Sequence, residues 1–307
     1  WLPIIITIAG LSLFEIISSI DNAIINAEVL TTMSAKGRKW FLWWGLLIAV
    51  VAVRGLLPWA IVWATSPALG PLDALTATFS NDPAIHEVIE RSAPILLIGG
   101  GTFLLLLFLH WLFLEPKDYG LFGEKFFHSK GIWFFAVASV LLTAVVWFAL
   151  QREALLAFGA VIGSTAFFIT HGFKQNAAQS ERQLIGQNNL SDMSKILYLE
   201  VIDATFSIDG VLGAFAFTLS VPLIFLGNGL GALVLRQLTV SNIERIKRYR
   251  YLKNGAMYSI LCLGVIMMMD SFGVVIPSWV SPLVTFIIVG YFWQKSPKKI
   301  IFYNTAP

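Results

Sequence analysis

The sequence predicts an all-α fold: a polytopic transmembrane helix bundle of about nine spans, organised as an inverted-topology repeat. Three observations lead there. Hydrophobic residues make up 57% of the 307 residues and charged residues only 13%, about half the ~25% share usual in soluble domains. Apolar stretches of roughly 20 residues, enough to cross a bilayer as a helix, recur along the whole length. Two of them carry matching sets of charged and polar residues, so one half of the chain reads as a copy of the other.

The spans follow in order. The first covers about Leu2 to Glu28, and a basic loop with Lys36, Arg38 and Lys39 comes after it. The second runs from about Trp40 to Ala64, and the long loop Thr65 to Ser92 carries Asp73, Asp82, Glu87 and Glu90. The third is about Pro94 to Leu114, the fourth Gly131 to Leu150 and the fifth Ala154 to Thr170, with a mixed loop at Glu115 to Lys130. A polar linker, His171 to Lys195, leads to the sixth span, about Ile196 to Leu219. Pro222 opens the seventh, which ends near Val240 before a basic loop at Glu244 to Lys253. The eighth is about Leu252 to Ser271 and the ninth Trp279 to Trp293, followed by Lys295, Lys298 and Lys299. Basic loops face the cytoplasm. The loops at 36–39, 244–253 and 295–299 therefore place the N-terminus outside and the C-terminus inside.

Composition also excludes whole classes. No polar region is long enough to clothe a large soluble core. One cysteine, Cys262, cannot make a disulfide framework. The net charge of +3 suits basic loops rather than nucleic-acid binding. The apolar start is too long, and lacks the preceding basic residue, for a signal peptide. No Gly-rich phosphate loop or nucleophile elbow is present, so no enzyme and no organic cofactor is expected. The run Gly99 to Gly101 reads as close helix packing. Trp40, Trp43, Trp44, Trp59 and Trp63 read as interfacial anchors.

The chemistry lies in the matching segments. Residues 14–24 read FEIISSIDNAI and residues 202–212 read IDATFSIDGVL. Aligned on Ser-Ile-Asp, Glu15 matches Asp203, Ser19 matches Ser207, Asp21 matches Asp209 and Asn22 matches Gly210. Glu200 adds a carboxylate one turn before Asp203. Arg54 lies mid-way along the second span and Arg236 at the corresponding place in the seventh. The first span enters the membrane from outside and the sixth from inside, so the copies are antiparallel, as in transporters built from inverted repeats. Residues 1–114 then form the first repeat, spans one to three. Residues 115–195 supply spans four and five and the linker, and residues 196–275 form the second repeat, spans six to eight. Residues 276–307 supply a peripheral ninth span and a basic tail.

An ionised carboxylate at the centre of a transmembrane helix costs about 2.5–3.5 kcal/mol on insertion scales. Five of them (Glu15, Asp21, Glu200, Asp203 and Asp209) demand counter-charge. Arg54 and Arg236 cannot neutralise all five, so protons or a bound cation are expected as well. On a helix, Glu15, Ser19, Asn22 and Asn26 share one stripe, whereas Asp21 is about 120° away and roughly 9 Å along the axis. Asp203 and Asp209 stand in the same relation. The two acids of one straight helix cannot share an ion, so acids from the two repeats must meet, or the helix must break. Breaks are expected around Ser18 to Asn22 and Phe206 to Gly210. The donors (Glu15, Ser19, Asp21, Asn22, Glu200, Asp203, Ser207, Asp209) are all oxygen, which suits magnesium, calcium or manganese. Ser18, Asn26 and Asp270 are candidate supporting or relay groups, although an interfacial charge is the simpler reading of Asp270. His110 reads as a satisfied buried histidine, and His86, His128 and His171 as solvated.

Residues 14–23, FEIISSIDNA, resemble the first motif of the TerC family of bacterial membrane proteins, which ends in Ser-x-Asp-Asn. Residues 199–210, LEVIDATFSIDG, resemble its second, Glu-x-x-Asp-x-x-Phe-x-x-Asp. The middle, at 158–163 and 170–174, looks like a related uncharacterised branch. The resemblance implies a member of the LysE-type transporter superfamily in the bacterial inner membrane. It further implies export of a divalent metal cation as substrate, manganese foremost with calcium as rival. Protons are the economical coupling ion, and a homo-oligomer is left open. The alternative is a non-transporting metal sensor or a subunit of a tellurite-type stress-resistance complex. An intramembrane aspartyl protease lacks its Gly-x-Gly-Asp pattern here.

Overall fold

The computed structural model describes residues 1–66, 68–76, 82–116, 120–186, 191–246, 249 and 251–296. Among them all regular structure is helical. Helices α1 (Leu2–Ser18) and α2 (Ile20–Thr31) form the first element. Next comes a continuous helical run: α3 (Ala35–Trp40), a π-helical segment Phe41–Gly45, α4 (Leu46–Ile48), a second π-helical segment Ala49–Leu56, and α5 (Leu57–Thr65). The short α6 (Pro71–Thr76) precedes the long α7 (Pro83–Leu114), and α8 (Phe122–His128) precedes α9 (Phe134–Leu150). The remaining helices are α10 (Ala154–Gly186), α11 (Asp192–Ala214), α12 (Val221–Ile246), α13 (Leu252–Ser271) and α14 (Val280–Lys295).

Six of these stretches are long and apolar enough to cross a membrane: Ala35–Thr65, Pro83–Leu114, Gly131–Leu150, Ala154–Asn176, Val221–Leu238 and Leu252–Ser271. The bent pair α1–α2 makes a seventh. The expected sixth and ninth spans form helices but fall short of that measure. Helix α11 carries Asp192, Lys195, Glu200, Asp203 and Asp209, and α14 has only 16 residues. The fold is therefore the expected polytopic helix bundle, with fewer spans defined by apolarity alone.

Several expected loops are helical. Asp82 accepts a hydrogen bond from the Ala84 N–H at 2.9 Å, ahead of Pro83. That is a helix start, so α7 begins well before Pro94, which lies inside it. The polar linker after Thr170 continues α10 to Gly186. Asn188, Asn189, Lys298 and Lys299 lie outside the described residues.

Three interfaces position the site. Helix α1 packs along α12, where Gly227 and Gly231 admit Leu11 and Glu15. Helix α11 packs against the second π-helical segment. Helix α7 runs between α10 and α13. Its glycine run is used as expected. A methyl group on Gly99 would lie 3.0 Å from Gly159 O, and one on Gly101 would lie 3.1 Å from Gly264 O. Backbones meet there because no side chain intervenes. Helix α14 is less peripheral than expected. Its Pro282 fills the space left by Gly10 of α1, and Ser281 Oγ donates to Ala216 O at 2.5 Å. Helix α9 is the outlying element, with Phe135, Val140, Trp147 and Phe148 exposed as they would be toward lipid.

Candidate functional site

The site begins with a broken helix. Ser19 separates α1 from α2 with φ −101° and ψ 7°, and the axes of Leu2–Ser18 and Asn22–Thr31 differ by 60°. Serine hydroxyls compete for backbone groups and weaken a helix locally; Ser18 Oγ donates to Glu15 O at 3.3 Å. The backbone stays satisfied across the bend, since Ser19 N donates to Glu15 O at 3.2 Å and Ala23 N donates to Ser19 O at 3.0 Å. The break therefore leaves no orphan amide in an apolar setting, where each would be costly.

Around the bend, polar side chains from three elements converge. Glu15 is fully buried and Asp203 of α11 is 8% exposed. Both are held by Arg54, itself 2% exposed, from the second π-helical segment. Arg54 Nε and Nη2 donate to Glu15 Oε1 at 2.9 and 2.6 Å, and Nη1 lies 3.4 Å from Asp203 Oδ2. Nη2 also donates to Ser207 Oγ at 3.1 Å, and Nη1 to Ala49 O at 3.2 Å. Ser19 Oγ donates to Glu15 Oε1 at 3.0 Å, and Asn22 Nδ2 to Asp203 Oδ1 at 2.6 Å. The matched acids Glu15 and Asp203 thus meet through one guanidinium.

Space remains beside this cluster. Asn22, Asn26, Arg54, Asp203 and Arg236 line a cavity of about 30 Å³, the room one or two waters need. Asn22 Oδ1, Asn26 Oδ1 and Glu15 Oε2 are buried acceptors without a hydrogen-bond donor among the described residues. Gly210 makes room for Glu15: a methyl group there would lie 2.9 Å from Glu15 Oε2. Glycine at 210 therefore serves a close approach and not a helix break. Helix α11 runs unbroken through Phe206 to Gly210, contrary to the expected second irregularity.

The other acids sort differently from expectation. Glu200 Oε1 accepts from Arg236 Nη2 at 3.1 Å, and the Arg236 guanidinium lies 3.9 Å from the centre of the Phe41 ring. The first π-helical segment passes close to this pair, because Gly45 leaves its side-chain space to Glu200 Oε1. Each π-helical segment thus borders one ion pair, Arg54–Glu15 buried and Arg236–Glu200 partly so. Asp209 does not join Glu15. It lies about 120° around α11 from Asp203 and pairs with Lys174 Nζ of α10, whose ammonium also sits over the Phe206 ring. In the sequence Lys174 carries no sign of a counter-charge role, because it sits in a polar stretch without apolar periodicity. It changes the charge balance. The four acids Glu15, Asp203, Glu200 and Asp209 face three cations, Arg54, Arg236 and Lys174.

Asp21 lies on the first turn of α2; its side chain, like that of His86, is outside the described residues. Asp270 closes α13, and no described hydrogen bond or ion pair joins it to the cluster. His171 is not solvated as expected but lies against His110. Among the described residues, no three His, Cys, Asp or Glu side chains converge as a metal-binding group.

Fold and site together define a polytopic helical membrane protein whose buried acids from two helices meet at a helix break. The chain belongs to the family described as "Protein of unknown function (DUF475)", whose model matches residues 20–299. That match spans Asn22, Arg54, Asp203 and Arg236 but begins after Glu15. No curated protein and no solved structure matches the chain.

Proposed function

We propose that this protein is a secondary transporter of the TerC type that exports a divalent cation, manganese foremost, across the bacterial inner membrane in exchange for protons. Its N-terminus would face outward. The observation that carries this reading is the meeting of Glu15 and Asp203, from two separate helices, at the break beside a small cavity that Asn22, Asn26 and Arg236 help to line. The oxygen set there (Glu15, Asp203, Asn22, Asn26, Ser19 and Ser207) suits a hard divalent ion. Arg54 occupies the carboxylates as an internal cation. An entering ion takes its place, so guanidinium and metal are alternative partners of the same acids. The reciprocal packing of α1 on α12 and of α11 on the second π-helical segment supports the inverted repeat. In such a repeat, one bundle rocks against the other around a central site.

The test is manganese flux in proteoliposomes reconstituted with the purified protein alone. Asp203→Asn should abolish flux while the protein stays folded, and Asp209→Asn should retain much of it. Full flux in Asp203→Asn would overturn the site. Absence of flux in the wild-type protein would favour a sensor or complex subunit.

A further inference from the structure

A pair of histidines stands apart from the acid–arginine cluster. His110 of α7 and His171 of α10 face each other with ring centroids 4.0 Å apart and planes at 53°. Aromatic rings enclose them. Phe167 stacks on His171 at 5.9 Å, and Phe134 of α9 meets His110 edge-on at 5.5 Å. His110 is only 9% exposed. Gln175 Nε2 lies 2.9 Å from His171 Nε2. A side-chain amide carries both a donor and an acceptor, so it can serve an imidazole in either protonation state.

The charged groups that act on His171 are Lys174 of α10, Glu115 at the end of α7 and Asp209 of α11; α9 contributes the apolar Phe134 against His110. Two of these charges are already committed to each other, Lys174 to Asp209, and Glu115 is held by Lys253 of α13 at 2.6 Å. Imidazoles this close cannot both become cations without strong mutual repulsion, so they titrate as a unit. The unit also has a mechanical link. Lys174, one turn beyond His171, ties α10 to Asp209 on α11. Another face of α11 carries Asp203 and Ser207, which hold Arg54.

We propose that His110 and His171 form a one-proton binding site, separate from the cation site, through which proton entry is coupled to cation export. This rests on the transport reading. A charge arriving at the pair pushes α10 against α7, and the Lys174–Asp209 contact carries that displacement to α11. At the α7–α10 interface, Gly99, Gly159 and Gly163 bring the two backbones into close contact, so a displacement of one helix is felt directly by the other.

Two measurements test it. The first follows ¹⁵N-imidazole NMR signals of the detergent-purified protein between about pH 8 and 5, the range in which histidine changes charge. Wild-type protein should take up one proton on the pair, and His110→Gln and His171→Gln should each still take up one. Two independent protons on the wild-type pair would overturn the shared site. The second compares manganese-loaded proteoliposomes with and without an inward proton gradient of one pH unit. In His171→Gln the acceleration by the gradient should be lost, while manganese counterflow and manganese affinity remain at wild-type level. Acceleration retained in His171→Gln would overturn the coupling role. No manganese flux in the wild type would remove the transport reading and the coupling together, and the NMR result would still decide the shared proton.

Discussion

Replacing Arg54 by methionine removes the group on which the two matched acids meet. The side chain donates hydrogen bonds to Glu15, Ser207 and Ala49 O and pairs with Asp203. Among the described residues, its loss leaves Glu15 with the Ser19 hydroxyl and Asp203 with the Asn22 amide as their remaining side-chain partners. Removing one partner of a buried ion pair costs about 3–5 kcal/mol, because the other charge stays buried and uncompensated. That corresponds to a fall in unfolding midpoint on the order of 10 °C for a chain of this size. Intrinsic tryptophan fluorescence on heating reads it directly in detergent. Glu15→Gln alone should cost less, because Arg54 keeps Asp203 and Ser207. The double variant should then be less destabilised than the two singles added together, by at least about 1.5 kcal/mol, since contacting residues are not additive. If Arg54→Met lies within about 1 kcal/mol of wild type, or the two changes add, the acids are not held by this guanidinium.

Gly210→Ala places a methyl group 2.9 Å from Glu15 Oε2. It should displace that carboxylate and reduce manganese flux at least tenfold with little change in unfolding midpoint; unaltered flux would show that Gly210 is not needed for the approach. Gly163→Ala drives a methyl group into the Gly99 carbonyl, and overpacking of this kind should lower stability by about 1–3 kcal/mol in a thermal melt. At the exposed head of α11, hydrogen bonds from Ser34 hold the Asp192 carboxyl below its ordinary range. A lowered folded-state value means that this contribution is complete at neutral pH and fades as pH falls below about 4. In a stability–pH series, Asp192→Ala should lose that acid-side slope and keep the remainder of the curve.

The parts of the site that were legible in the sequence are those governed by helical angle. Glu15, Ser19, Asn22 and Asn26 share a stripe, and that stripe does face Asp203, Ser207 and Arg54. The mismatch between Glu15 and Asp21 left two resolutions, a meeting of acids from the two repeats or a break; Glu15 and Asp203 do meet, and α1 does break at Ser19. The same argument applied to Asp203 and Asp209 gave a second break that is absent. Nothing forces both acids of α11 toward one ion when Lys174 waits on the other side. Lys174 and His171 were hidden because α10 extends past its apolar segment into a polar stretch, where the 3.6-residue hydrophobic pattern has no contrast. The π-helical segments were equally invisible. A π-turn changes which residues face inward without changing composition, and only the contacts of Arg54 and Gly45 reveal it.

Charge balance turns these observations into a constraint on mechanism. Three of the four described acids can be matched one to one: Glu15 with Arg54, Glu200 with Arg236, and Asp209 with Lys174. Asp203 is left to share Arg54 at 3.4 Å, the longest of these contacts. It also lines the cavity beside the unpartnered oxygens of Asn22 and Asn26. On the transport proposal, a cation therefore engages Asp203 first, where counter-charge is weakest and acceptors are free. Recruiting Glu15 requires Arg54 to leave, and Arg54 is held by a π-helical segment through Ala49 O. Relaxing that segment toward ordinary α-helix would rotate the guanidinium away from both acids. A divalent ion bound in its place restores neutrality between two carboxylates. The displaced guanidinium then needs a partner elsewhere, or protons must leave, before the exchange is balanced in charge within the bilayer.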